Sequence, residues 1–145
     1  MLSRSTWLGG VSDIKQRKRG KKMLNKFRDE IHKNALEHGW WKDGRTFGDI
    51  VALCHSELSE ALEEYRDGRP HLYFSGQDEN GCRVVASESC PPIITKPEGI
   101  AIELADCIIR ILDYCGKVGI DVDGAIRLKH EYNKGRPYKH GGKVI

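Results

Sequence analysis

Four acidic residues stand at spacings from which metal chemistry can be built. Glu57 and Glu60 are three residues apart, and so are Glu103 and Asp106. In a helix, residues at i and i+3 project from one face. Each pair lies in a stretch whose apolar residues recur at helical spacing, so it can be placed around its helix at about 100° per residue. In the first stretch Ile50, Val51, Leu53, Cys54, Leu58, Ala61, Leu62 and Tyr65 share a broad arc, and His55, Ser56, Ser59, Glu63 and Arg66 lie opposite. Glu57 falls inside the apolar arc, Glu60 and Glu64 at or near its edge, and Glu63 where a solvated glutamate belongs. In the second stretch Glu103, Asp106, Arg110, Asp113 and Lys117 form a polar stripe only about 80° wide. A surface helix has a wider polar face, so this one is expected to be central, with its stripe facing partners or a cavity.

Inward carboxylates need a counter-charge, because burying an unpaired one is costly. Two of them at 4 Å repel by about 4 kcal/mol at an effective dielectric of roughly 20. A divalent cation between two facing helices would remove that repulsion, and hard oxygen donors favour Mg2+, with Mn2+ as a substitute. The alternative is plain ion pairing, with Arg110 the nearest local partner for Asp106. If the acids are clustered, Glu57→Gln is expected to impair the site and to relieve repulsion in the metal-free chain.

The elements that would position these acids can be read along the chain. Residues 23–38 predict a first helix, with Leu24, Phe27, Ile31 and Ala35 in phase and Gly39 as its stop. A second starts near Thr46, with Asp49 as its capping partner, and ends where DGRP begins at Asp67. HLYF and CRVV, separated by the turn-rich SGQDENG, predict a small hairpin, and SESCPP a loop. Pro97 and Glu98 suit the first turn of a third helix running to about Lys117. Asp121 caps a fourth through about Asn133, before Gly135 and Pro137. The expectation is an all-α fold, a four-helix bundle with a small β-hairpin inserted between helices 2 and 3.

At 145 residues, with 31% charged and 39% hydrophobic side chains, the chain has the composition of one ordinary globular domain. The expected organisation is a basic arm over 1–22 and a helical domain over 23–145, with an insertion at 68–96. The arm carries seven Lys and Arg against Asp13, hence +6 of a total of +3. Such a run can contact nucleic acid phosphates, but basic runs are common and unspecific, and a solvated arm is the expected reading. There is no membrane-length apolar run and no secretory-type apolar core, so the expected location is cytoplasmic. Of five cysteines, Cys54, Cys107 and Cys115 fall in apolar helical phases as small hydrophobes, and no CxxC pair suggests zinc.

Three segments together resemble a known family. HSELSEALEEYR, GIAIELADCIIRILD and KHEYNKGRPYKHGGK, in that order, are similar to the MazG-like nucleotide pyrophosphohydrolases, especially their small phage and mobile-element forms. The resemblance covers about residues 24–66 and 97–143, and the ordered combination is what makes it specific. It implies the fold of the all-α NTP pyrophosphatase type, and Mg2+ ligated by Glu57, Glu60, Glu103 and Asp106, which are also the catalytic acids. It implies hydrolysis of nucleoside triphosphates to monophosphates and pyrophosphate, a nucleotide-pool housecleaning role, and a homodimer or homotetramer. The family's downstream lysine and asparagine match Lys129 and Asn133. The 42 residues between Glu60 and Glu103 exceed the family's usual spacer, which the hairpin explains. A narrow dUTP or dCTP pyrophosphatase of the same superfamily is the alternative, and a nucleic-acid-binding module using the arm is a more distant one.

Other residues are candidates for substrate contact. Around the fourth helix Lys129 and Asn133 share a side with Val122, Ala125, Ile126 and Tyr132, which predicts an inward cation suited to a triphosphate, against the alternative of a lysine snorkelling over the core edge. Arg136, Tyr138, His140 and Lys143 form a basic, glycine-containing tail that would close on phosphates, against the alternative of a solvated terminus. Trp40 and Trp41 would stack a base, against the alternative of hinge packing.

Overall fold

The computed structural model of the protein describes residues 23–138. The basic arm over 1–22, and His140 and Lys143 of the tail, lie outside the described residues. Helix α1 spans Met23–Glu37. Helix α2 spans Phe47–Arg66 and opens on the expected capping box, in which Thr46 and Asp49 satisfy each other's backbone N–H groups. Three strands follow, β1 (Tyr73–Gln77), β2 (Arg83–Ala86) and β3 (Ile94–Glu98). Helix α3 spans Ile100–Val118 and helix α4 Val122–Lys134. None of the described helices is long and apolar enough to cross a membrane.

The expected all-α bundle with a hairpin is corrected by this arrangement. The insertion is a three-stranded antiparallel sheet in the order β2-β1-β3, and the described structure is 58% helical and 13% strand, a mixed rather than an all-α architecture. The third strand occupies residues read as a loop and the first turn of a helix. Pro97 lies in β3 opposite Phe74, and Glu98 opposite Tyr73. The misreading has a physical cause: proline's fixed φ and missing N–H suit both a first helical turn and an edge strand, and β3 is an edge. Gly99 then turns the chain into α3 at φ 105°, a left-handed value, where a Cβ would lie 2.8 Å from the carbonyl oxygens of Pro70 and His71. The Ala101 N–H at the start of α3 donates to His71 O at 2.9 Å. The segment before β1 therefore anchors the N-terminus of the helix that carries Glu103 and Asp106.

The chain divides into two compact units. One is Phe27–Ile120, and the other joins the residues up to Lys26 with those from Asp121 on. In the first, α2 and α3 pack along each other, with Ile50, Ala61, Cys107, Leu112 and Cys115 buried. All five cysteines are free thiols, and Cys107 and Cys115 pack as the small hydrophobes expected. Burial pushes the thiols of Cys54 and Cys115 up, with the neighbouring Cys107 adding to the effect at Cys54. In the second unit Asn25 ties the start of α1 to the cap of α4. Its backbone N–H donates to Asp123, its side-chain amide donates to Asp121, and its Oδ1 accepts from the Val122 N–H, at 2.7–2.9 Å. Asp121 also accepts from the Gly124 N–H, as a helix cap does.

Candidate metal centre

Helical periodicity places Glu57 inward, and the structure does the same. Glu57 is 5% exposed although it is a glutamate in a twenty-residue helix, while Glu63, six residues on, is exposed. Glu103 and Asp106, one turn apart on α3, are half-buried. Glu57, Glu103 and Asp106 converge so that one potential ligand atom from each lies within 4.8 Å of the others. Glu60 stands outside this trio. It is exposed and accepts a hydrogen bond from Ser56 Oγ at 3.0 Å. It is nevertheless close enough to act on both acids of α3.

Crowding of like charge is visible in the ionisation of those two acids. Burial pushes the Glu103 carboxyl above the usual range, and the charges of Glu60, Asp106, Glu57 and Glu64 push it further. Asp106 is raised by burial and by Glu57 and Glu60, against the pull of Arg110 and of Lys96 on β3. Arg110 is spent elsewhere than expected. Its Nε donates to Glu57 Oε1 at 2.6 Å and its Nη2 is paired with the same oxygen, so the guanidinium compensates Glu57 and reaches Asp106 only as a neighbouring charge.

One further acid belongs beside this group. Glu64 lies seven residues after Glu57, on the same side of α2. Its Oε1 accepts from the Tyr73 hydroxyl at 3.2 Å, and its Oε2 is shut off from solvent with no hydrogen-bond partner among the described residues. A buried carboxylate oxygen without a donor is what a bound cation would satisfy. The three converging carboxylates form an all-oxygen donor set that fits Mg2+ or Mn2+. Residue spacing marked Glu64 only as an edge position, because the signal that singles it out is its contact with a strand.

The remaining stripe of α3 is structural. Asp113 is 5% exposed, accepts from His32 Nδ1 at 2.7 Å, and accepts from the indole N–H of Trp41 at 3.0 and 3.1 Å. Lys117 lies over the Trp41 ring at 5.3 Å. Trp41 is therefore a packing anchor between the α1–α2 connection and α3. Trp40 is 45% exposed, carries Arg45 over its ring at 5.7 Å, and lines a cavity with Asn34, Arg45, Arg110 and Asp113. That cavity, at about 50 Å³, is far below the ~300 Å³ at which small-molecule sites begin.

Lys129 and Asn133 on α4 are exposed rather than turned inward, and the Lys129 ammonium lies 4.9 Å from the centre of the Tyr132 ring. Arg136 approaches the same ring at 6.0 Å, and Tyr138 is 87% exposed. These four belong to the second unit, and the carboxylates to the first. The chain matches no protein-family model, no curated protein and no solved structure.

Proposed function

We propose that this protein is a MazG-like, Mg2+-dependent nucleoside triphosphate pyrophosphohydrolase, converting an NTP or dNTP and water to the monophosphate and pyrophosphate. The observation that carries the reading is the convergence of Glu57, Glu103 and Asp106 from two helices, in a place where Arg110 and Lys96 offset their mutual repulsion only in part. Mg2+ held there would offset that repulsion and polarise a phosphate chain. Glu57, Glu103 and Asp106 would be its ligands. Glu60 is exposed, engaged only by the Ser56 hydroxyl among the described hydrogen bonds, and the best placed to orient or deprotonate the attacking water. Arg110, fixed beside Glu57, puts next to the site a cation that would stabilise charge developing on a phosphate oxygen. Trp40 is the tryptophan available to a base, since Trp41 is committed to Asp113. Incubation with each common NTP and dNTP plus Mg2+ is expected to yield pyrophosphate, and EDTA to abolish it. Release of single phosphates, or chelator-resistant turnover, would refute the reading, and the same panel separates broad activity from a dUTP or dCTP preference.

A second copy of the chain is proposed as the macromolecular partner. Val51, Leu58 and Leu62 on α2 and Leu104, Ile108 and Ile111 on α3 are each 39–54% exposed. Part of each stripe lines a groove of about 590 Å³ between the two helices. The spacing along each helix is that of helix-packing seams, and a two-fold axis would set the same face of a second copy against it. Light scattering at micromolar concentration is expected to report a dimer or larger species, and Leu58→Glu to shift it toward monomer. A monomeric wild-type chain would rule this out.

A further inference from the structure

Arg110 does not make the contact that its place on α3 favours. Asp106 and Arg110 stand at i and i+4 with the acid nearer the N-terminus, the more stable orientation of a helical ion pair. The guanidinium instead reaches across to α2, where its Nε lies 2.6 Å and its Nη2 2.5 Å from Glu57. Both contacts fall on one oxygen, Oε1, and among the described residues no hydrogen bond goes to Glu57 Oε2. An arginine that serves only as a counter-charge commonly meets a carboxylate fork to fork, with one N–H on each oxygen. Two donors on a single oxygen satisfy that oxygen and leave the other open. The same choice of partner leaves Asp106 unpaired with the guanidinium, which reaches it only as a neighbouring charge. The Glu57 and Arg110 side chains are only 7% and 23% exposed, so the pair is enclosed. A free glutamate loses rotamer freedom when it takes up an ion. At Glu57 the paired guanidinium has already removed that freedom.

We propose that Arg110 is the positioning residue of the cation site: its Nε and Nη2 hold Glu57 Oε1 and leave Oε2 as the ligand atom offered to an ion among Glu57, Glu103 and Asp106. This rests on the metal-site reading above and gives Arg110 a role that needs no substrate. Two effects of Arg110 on a bound cation oppose each other. As a charge it repels the ion, and as a double donor it fixes the ligand. The repulsion is offset by the Glu57 carboxylate that both cations share. A hydrogen-bonding partner behind a metal ligand typically contributes 10–100-fold in metal affinity, so the orienting effect is expected to dominate. A lysine cannot replace it, because an ammonium is a point charge without the guanidinium's rigid fork.

The test is Mn2+ binding to the full, substrate-free chain, followed by the EPR signal of the free ion, with metal-free thermal melts alongside. Arg110→Lys keeps the charge and gives up the two-donor grip, whereas Arg110→Met keeps an apolar stem and gives up both. Each is expected to weaken Mn2+ binding by tenfold or more, and exposed Glu63→Gln to leave it unchanged. A guanidinium acting only as a counter-charge would give another pattern. Arg110→Lys would then bind Mn2+ as the wild type does, and Arg110→Met would bind it more tightly, because a repelling charge is gone. Either result overturns the proposal, whatever the melts show. Arg110→Met is expected to lower the metal-free melting temperature, since it leaves Glu57 buried without its partner; if it fails to fold, Arg110→Lys decides the matter. Binding that is lost in Glu103→Gln but kept in both Arg110 variants defeats this inference and leaves the metal-site reading standing. A wild-type chain that binds no Mn2+ defeats both.

Discussion

Glu57→Gln is expected to reduce turnover at saturating Mg2+ by about 100-fold or more, the scale on which a lost transition-state interaction reads out, while Glu63→Gln stays within about 0.5 kcal/mol of wild type in stability and keeps its activity. Both are glutamates of α2 six residues apart, so helix propensity and composition cannot separate them. Only their direction differs, one 5% exposed beside Glu103 and Asp106, the other exposed. Equal losses in the two variants, or a loss confined to Glu63→Gln, would remove the site. The structure also revises the expected effect of Glu57→Gln on the metal-free chain. Glu57 is ion-paired to Arg110, so neutralising it leaves a guanidinium without its counter-charge, and the metal-free fold should lose about 1–3 kcal/mol. Relief of repulsion belongs to Glu103→Gln. Glu103 holds its proton to higher pH in the folded chain than in the unfolded one, so its ionisation at pH 7 opposes folding. Glu103→Gln should therefore raise the metal-free melting temperature at pH 7. That gain should shrink as pH falls through the raised value toward the ordinary 4.5. A gain that persists or grows on acidification would contradict this account.

Asp113→Ala is expected to cost about 3 kcal/mol, because it strips the acceptor from two enclosed donors at once. The Asp113 carboxylate is 5% exposed and receives both His32 Nδ1 and the Trp41 indole N–H, which come from α1 and from the α1–α2 connection. The edge contact between the His32 and Trp41 rings, 6.0 Å between centroids, depends on the same anchor. Urea unfolding is the measurement, with a lower midpoint at unchanged m-value as the expected result. Asp113→Asn keeps one acceptor oxygen and should lose less. A loss below 1 kcal/mol for Asp113→Ala would show that the triad is incidental to the fold.

The sequence by itself determined the elements whose causes are local. The Thr46–Asp49 box, the Asp121 cap and the phases of Glu57 and Glu63 each depend on residues within about two turns of one helix. The inward phases of Glu57, Glu103 and Asp106 were legible for the same reason, whereas Glu60, at the edge of its arc, is exposed and outside the converging trio. Trp40 and Trp41 were legible as a pair but not as separate roles. The tertiary structure decided which of them Asp113 would claim, across 72 residues, and that Arg110 would answer Glu57 across 53 residues rather than Asp106 nearby. It also decided the third strand. Residues 94–98 have a helix-start composition, and only the free edge of β1 made them a strand. Glu64 is the clearest case of this kind. Its neighbours along α2 mark it as an ordinary edge glutamate. Its contact with Tyr73, and the shielding of its second oxygen, exist only once the sheet has packed against the helix. Periodicity and capping act over a turn or two of chain, whereas strand pairing and the choice among competing ionic partners depend on what folding brings within hydrogen-bond reach.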